Sequence, residues 1–510
     1  MMRQITKPRL RTSSLLGRIS APVAGAAGAQ IAWASSAAAA TASAPFGPNA
    51  GVVTEEDRQH VFQPLAAQNK NSPMRRQATW LEALRSKPRP ALNPAKSATV
   101  GAATKKPEDV EEHAVQDRVS KDSFAYVVLP FKNDPWLLDS YIDSNGEGLR
   151  VGQLFQDLDA LACVSAYRHC HPAKPAIVTA SVDRVLLDPA VLPSFLDKSS
   201  VRNVSLSGTV TWSGRSSMEI TVKVAAHDEE LHRNSKLQPD DIKEENVFMV
   251  AHFTFVARNT KTNKSFPINR LVPQTKQELT DYKRAENYNL YKRSIASKKD
   301  LRSKHPSEEE SELIHSLWLN YEDQMEAPTL INPLRKKSSI VAESEVPTEK
   351  VILMQDTTVE STALMQPQNR NIHSYMIFGG YLLRQTFDLA HACVVKSFPS
   401  VQPPVFNSLD STTFKSPVPV GSILKLTATA VYGSNEKVQV RVDAVAVHAG
   451  TGESKHTGTF AYSFSVNTNV ILLPKTYKEM MWYLEGRRKV LESEKFYLHG
   501  TEESNNQIEN

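Results

Sequence analysis

The sequence holds three cysteines in 510 residues, Cys163, Cys170 and Cys393. So few exclude a disulfide framework and fit a reducing compartment. An excess of charge of one sign is also missing: 60 Lys and Arg face 55 Asp and Glu, a formal net charge of +5. That balance does not call for a nucleic-acid partner. Long apolar runs are scarce, and the stretch from Ala24 to Ala44 is mostly Ala, Gly and Ser, interrupted by Gln30. It is too weakly hydrophobic to be read as a span, so no stable membrane insertion is expected. Acidic residues are absent before Glu55, whereas Arg3, Lys7, Arg9, Arg11 and Arg18 lie among Ser, Thr, Leu and Ala. Arg-rich, Ser-rich and acid-free composition predicts a mitochondrial transit segment over 1–44, with a signal anchor as the alternative. A metal-ligand pattern is lacking as well. His169-Cys170-His171 are adjacent, point to different sides of an element and have no second pair at zinc spacing, so they read as a helix end.

What is present describes a globular protein with a real core: 40% hydrophobic and 23% charged residues. Residues 45–118 carry Pro45, Pro48, Pro64, Pro73, Pro88, Pro90, Pro94 and Pro107, and only Trp80 to Leu84 resembles a helix turn. We expect a mostly disordered extension there. Order is expected from near Ser123, with a strand-like run to Leu129. Leu154, Phe155, Leu158, Leu161, Ala162 and Ser165 then fall at helical spacing. Strands follow at Ile177 to Val185, Val204 to Trp212, Ser217 to Ala225 and Val247 to Ala257, the middle two joined by a hairpin turn at Ser213-Gly214-Arg215-Ser216. A charged, helical connector is expected over 276–349, with Trp318 docked on a domain.

From Val351 the same order returns. A polar turn and two glycines (Asn371 to Gly380) lead into a helix (Tyr381 to Val395), a strand (Pro404 to Phe414), a hairpin (Leu424 to Val447) and a strand (Thr457 to Val466). Gly152 and Gly380 lie 228 apart and Asp183 and Asp410 lie 227 apart, so a domain of about 150 residues is duplicated. The predicted fold class is α+β, each copy a helix packed on an antiparallel sheet. The copies span 119–275 and 350–490, and 491–510 is expected to be a polar tail.

Phe378 to Arg384, Asp410 with Pro417 to Ser422, and Phe460 to Phe464 followed by Leu473 to Tyr477 resemble the mitochondrial acyl-CoA thioesterases of the tandem hotdog class. Leu154 to Leu161, Gly208 to Met218, Val256 to Arg258 and Asn269 to Pro273 of the first copy are similar to the same group. The resemblance covers about Ser123 to Arg488. It implies two hotdog domains, each a curved antiparallel sheet wrapped around a central helix, paired through their sheets. It implies sites at their interface, no cofactor or metal, and assembly into a homo-oligomer in the mitochondrial matrix.

Thioester hydrolysis needs an activated water and a stabilised oxyanion. A helix N-terminus with Gly379 or Gly380 can bring N–H groups onto a carbonyl, since glycine permits close backbone approach. A carboxylate on or near a buried stripe, as Asp159 is, needs a partner or a task, and an edge carboxylate bound to a backbone N–H is the bland alternative. The resemblance implies that Asp159, seven residues after Gly152, is the catalytic carboxylate. Its second-copy equivalent is Phe387, with Asp388 one place and about 100° further round the helix, and Met376 stands where relatives carry a polar turn residue. The expected site therefore joins Asp159 of the first domain to Asn371, His373, Gly379 and Gly380 of the second, with the water-holding role open between Asn371 and His373. Arg150, Arg258, Asp388 and Lys455 are candidates for contact with acyl-CoA. Two alternatives remain: a catalytically weak hotdog pair that binds acyl-CoA or serves a larger assembly, and a dehydratase, which would want a His-acid pair.

Overall fold

The computed structural model describes residues 114–506, apart from 145, 147, 189–199, 234, 261, 297–304, 327–349, 372–374, 400–401, 411, 435 and 468–469. The transit segment and nearly all of the 45–118 extension lie outside the described residues, as does His373.

The first half begins with β1 (Asp117–Arg118), α1 (Ser120–Ser123), β2 (Ala125–Leu129) and α2 (Pro135–Asp139). The long helix α3 (Val151–Cys170) follows, then β3 (Ala176–Leu187), β4 (Asn203–Ser213), β5 (Ser217–His227), β6 (Val247–Arg258) and β7 (Arg270–Leu271). Order thus starts earlier than the expected Ser123, because Asp117 and Arg118 pair in parallel with Arg270 and Leu271. Helices α4 (Lys276–Ala296) and α5 (Glu308–Glu326) come next.

The second half comprises β8 (Lys350–Leu353), β9 (Val359–Leu364), α6 (Gly379–Ser397), β10 (Val405–Leu409), β11 (Thr412–Thr413), β12 (Ile423–Ser434), β13 (Lys437–Val447), β14 (Ser454–Ser465) and β15 (Val470–Leu473). The last helix, α7 (Tyr477–Asn506), runs through most of what the sequence suggested was a polar tail. The strand expected over Pro404 to Phe414 is divided into β10 and β11.

Eleven strands make one sheet in the order β2-β4-β5-β6-β3-β10-β14-β13-β12-β9, with β11 pairing β3. All its ladders are antiparallel. Two short ladders join the halves. Ser408 and Leu409 face Leu186 and Val185, and Thr412 and Thr413 face Val182 and Ser181. Helix α3 touches β2 to β6, α6 touches β9, β12, β13 and β14, and the two helices pack on each other.

Helix α3 is buried almost all round, which explains its mixed composition: Leu154, Phe155 and Leu158 fill the core, while buried polar side chains such as Asp157 and Ser165 find partners. Ser165 Oγ donates to the carbonyl of Gly208 on β4 at 3.0 Å. A Cβ at Gly208 would lie 3.0 Å from that oxygen, so glycine sets the helix-to-sheet distance. Between α3 and α6, Phe155 meets Phe387 and Phe406 edge-on, with ring centroids 5.3 and 5.4 Å away. Each buried ring contributes about 1.5–3 kcal/mol.

The outer helices are tied by ion pairs. Arg284 and Lys292 of α4 reach the buried carboxylates of Glu219 and Asp183, each at 2.6 Å. Arg441 of β13 pairs with Glu485 of α7 at 2.9 Å, and Arg488 makes a two-pronged pair with Glu310 of α5, both contacts at 2.6 Å. The Glu310 carboxyl is held down at about 2, chiefly by its hydrogen bonds to Arg488. Trp318 is not docked, contrary to expectation: it is 43% exposed and stacks on His315, while its neighbour Leu317 is buried.

Candidate active site

Asp159 sits in the middle of α3 with its side chain fully buried. Thr179, early in β3, donates from Oγ1 to Asp159 Oδ1 at 2.9 Å, and the backbone N–H of Gly380 also bonds to the carboxylate. Oδ2 accepts no side-chain hydrogen bond from the described residues. Desolvation outweighs both donors and pushes the carboxyl up to about 7. The group is poised to take up or release a proton near neutrality.

The second half meets this carboxylate with the start of α6. A Cβ at Gly379 would lie 3.0 Å from Asp159 Oδ2 and 3.3 Å from Thr179 Oγ1. One at Gly380 would lie 2.8 Å from the carbonyl oxygen of Gln156 on α3. Both glycines are therefore needed for contact rather than for unusual backbone angles. Phe378 occupies the N-cap and supplies no side-chain cap, so the first N–H groups of α6 have no such partner. The strand-like approach to the helix is fixed by Phe378 N–H donating to Asn369 O at 3.0 Å and Ile377 N–H to Val418 O at 2.8 Å.

Of the residues singled out from sequence, Asp159, Gly379 and Gly380 come together. Asn371 lies in the approach turn, half-buried, its N–H bonded to the carbonyl of Met376 at 2.8 Å. Thr179 was missed, because one hydroxyl in an alternating strand carries no signal until the helix beside it is placed. Asp157, two residues before Asp159 on α3, is also buried and accepts from Tyr141 Oη at 2.7 Å and Gln153 Nε2 at 3.1 Å.

Arg150 and Asp388 meet at the other end of the helix pair, 3.6 Å apart. A Cβ at Gly152 would lie 2.5 Å from Asp388 Oδ1, so an α6 carboxylate approaches the start of α3 much as Asp159 approaches the start of α6. Arg258 ends β6, exposed, donating to Asn263 O at 3.4 Å. Lys455 is exposed on β14 opposite Ala446. Neither borders the cavity that Arg150 and Asp388 line. Among the described residues no group of His, Cys, Asp and Glu could hold a metal ion, and His169 closes α3 with Nε2 2.9 Å from Asn269 O. No described helix is long and apolar enough to cross a membrane.

The sequence has relatives among named proteins. No family model matches the sequence. The chain is 31% identical over 372 residues to the mitochondrial acyl-coenzyme A thioesterase 9 of Mus musculus, a match spanning 73% of this chain and 78% of the relative. It is 33% identical over 335 residues to the mitochondrial acyl-coenzyme A thioesterase 4 of Humulus lupulus, spanning 63% and 56%. Among solved structures, an acyl-CoA hydrolase of Staphylococcus aureus in complex with butyryl coenzyme A matches at 18% identity, with a TM-score of 0.28, over 32% of this chain and all of that one. The comparisons define a class, the acyl-coenzyme A thioesterases. Within it, the chain belongs to the family of the mitochondrial acyl-coenzyme A thioesterases.

Proposed function

We propose that this protein hydrolyses acyl-CoA to a free carboxylic acid and CoA in the mitochondrial matrix, with Asp159 as general base. The observation that carries this is the fully buried Asp159 carboxylate, pushed up to about 7 and lying within van der Waals reach of the α6 N-terminus. Asp159 takes a proton from water as the oxygen attacks the thioester carbon. The new oxyanion is met by the first N–H groups of α6, Gly379 foremost, since the Gly380 N–H already holds Asp159. Collapse of the tetrahedral intermediate breaks the C–S bond. The thiolate, a good leaving group, recovers the proton and departs as CoA. No acyl-enzyme is formed, and Thr179 keeps the carboxylate oriented.

The finer architecture belongs to the same proposal. The matching order of strand, helix, strand, hairpin and strand supports two hotdog domains, 119–275 and 350–490, paired through β3 and β10. A transit segment (1–44), an extension (45–118), a connector (276–349) and a tail (491–510) complete the chain, which assembles further into a homo-oligomer. Either Asn371 or His373 is assigned the water, and Arg150, Arg258, Asp388 and Lys455 are assigned to contact with acyl-CoA, Arg150 and Asp388 from the other end of the helix pair. The test is turnover of a chain-length series of acyl-CoA by purified protein beside Asp159→Ala. A loss of about 10²-fold or more is expected. An unchanged rate in the variant sinks the assignment of Asp159, and no turnover with any substrate favours a hotdog pair kept for binding alone.

A further inference from the structure

At the start of α6 the backbones of the two halves nearly touch: a Cβ at Gly380 would lie 2.8 Å from the carbonyl oxygen of Gln156 and 3.0 Å from its Cα. Arg384 stands four residues further along α6, and Gln153 three residues back along α3, so each shares the face of its helix that makes this contact. Nη1 of Arg384 donates to Gln153 Oε1 at 2.7 Å and to Gln156 Oε1 at 3.4 Å. Gln156 and Arg384 are 228 apart in the sequence, as are Gly152 and Gly380. Equivalent positions of the two halves therefore meet, which puts the guanidinium at the crossing of the two helices.

The acceptor is itself held in place. Gln153 Nε2 donates to the buried Asp157 at 3.1 Å, and Tyr141 Oη donates to the same carboxylate oxygen at 2.7 Å. An amide whose NH₂ end is engaged presents its carbonyl in a fixed direction. On the other side, Nε of Arg384 is buried, meets no hydrogen-bond acceptor among the described residues and lies 3.9 Å from Asp388 of its own helix. The grip on α3 is thus made by Nη1. A guanidinium largely removed from water keeps such acceptors, because losing them leaves a buried cation without partners.

No atom of this cluster belongs to the reacting groups. The Gly380 N–H bonds to Asp159, and a Cβ at Gly379 would lie 3.0 Å from Asp159 Oδ2, so the seating of α6 on α3 fixes both the base and the donors opposite it. We propose that Arg384 is a positioning residue: by gripping Gln153 and Gln156 it holds the first turn of α6 against Asp159. The predicted effect on rate rests on the thioester-hydrolysis reading above, whereas the effect on the Gly380 hydrogen bond does not.

That separation sets the test. Hydrogen–deuterium exchange at the Gly380 amide and steady-state hydrolysis of one acyl-CoA are measured on the full chain, as wild type, Arg384→Met, Gln153→Met and the double variant. Methionine keeps the length of either side chain and removes its polar end; should one single variant fail to fold, the other decides. In each, the Gly380 amide is expected to exchange about ten-fold faster. Turnover should fall about ten-fold in kcat, with KM within about two-fold, because loosening the seat costs less than the roughly 10²-fold of a 1 Å misplacement. Both changes break one contact, so the double variant should lose no more than the worse single one. Unchanged exchange at Gly380, an unchanged kcat in an active enzyme, or losses that multiply in the double variant overturn the proposal. Faster exchange in the variants of a chain that turns over no acyl-CoA would instead refute the assigned activity and leave the positioning role standing.

Discussion

Gly379 of α6 and Asp159 of α3 lie so close that a Cβ on the glycine would stand 3.0 Å from the carboxylate oxygen Oδ2. A methyl group there must displace either the carboxylate or the start of α6, and Thr179 Oγ1, 3.3 Å away, blocks one line of retreat. Gly379→Ala is expected to lower kcat with a smaller change in KM, by less than the roughly 10²-fold that about 1 Å of misplacement at a reacting group costs, because the contact must give by only part of that. Steady-state kinetics against one acyl-CoA decide it; an unaltered kcat would place the chemistry elsewhere.

The pH profile follows from the same carboxylate. A base must be ionised to accept a proton, and Asp159 is pushed up to about 7 by burial. Hydrolysis should therefore rise with pH and reach half its plateau near 7. Thr179→Val removes a hydrogen bond that favours the charged form, so the midpoint should move to higher pH by about one unit. A profile flat from pH 5 to 9 would exclude Asp159 as the titrating base.

Burial that raises this carboxyl also ties it to stability. Because the folded group holds its proton more tightly than the unfolded one, stability is greatest below the unfolded value of 3.8 and declines as pH rises towards about 7. Asp159→Asn removes the penalty and keeps an acceptor for Thr179. The variant should melt above the wild type at pH 8, by up to roughly 4 kcal/mol, and the gap should close near pH 4. Thermal unfolding at the two pH values measures it.

Arg284 of α4 neutralises Glu219, whose side chain is inaccessible to solvent on β5. Arg284→Leu strands that carboxylate among His252 and the sheet and should cost about 3 kcal/mol at pH 8. Desolvation already raises Glu219, so without Arg284 it protonates more readily and the loss should shrink at pH 5. Denaturant titrations at both pH values would show a constant loss if the arginine merely packed.

Much of the molecule was legible in the order of its parts, because alternation marked the strands of both halves and apolar spacing marked α3 and α6. The meeting of Asp159 with Gly379 could be expected only by setting one half against the other. What spacing along one chain cannot supply is how two helices cross. Asp388 stands one position and about 100° round the helix from the residue matching Asp159, yet the crossing brings its carboxylate onto Gly152. Trp318 failed for a related reason. The buried face of α5 runs through Glu310 and Leu317, two turns apart, and is set by the pair with Arg488; Trp318 lies about 100° round from it. Size alone did not choose the buried residue.

Helices α3 and α6 face each other within one polypeptide, although each presents its acid to the other's N-terminus. In a homodimer built from one such half, a single codon change would alter both ends of the pair at once, so losing a base would cost every site. Here the two helices are encoded separately. One end can keep Asp159 while the other accepts Phe387 and the arginines around Asp388, and selection can act on either end alone.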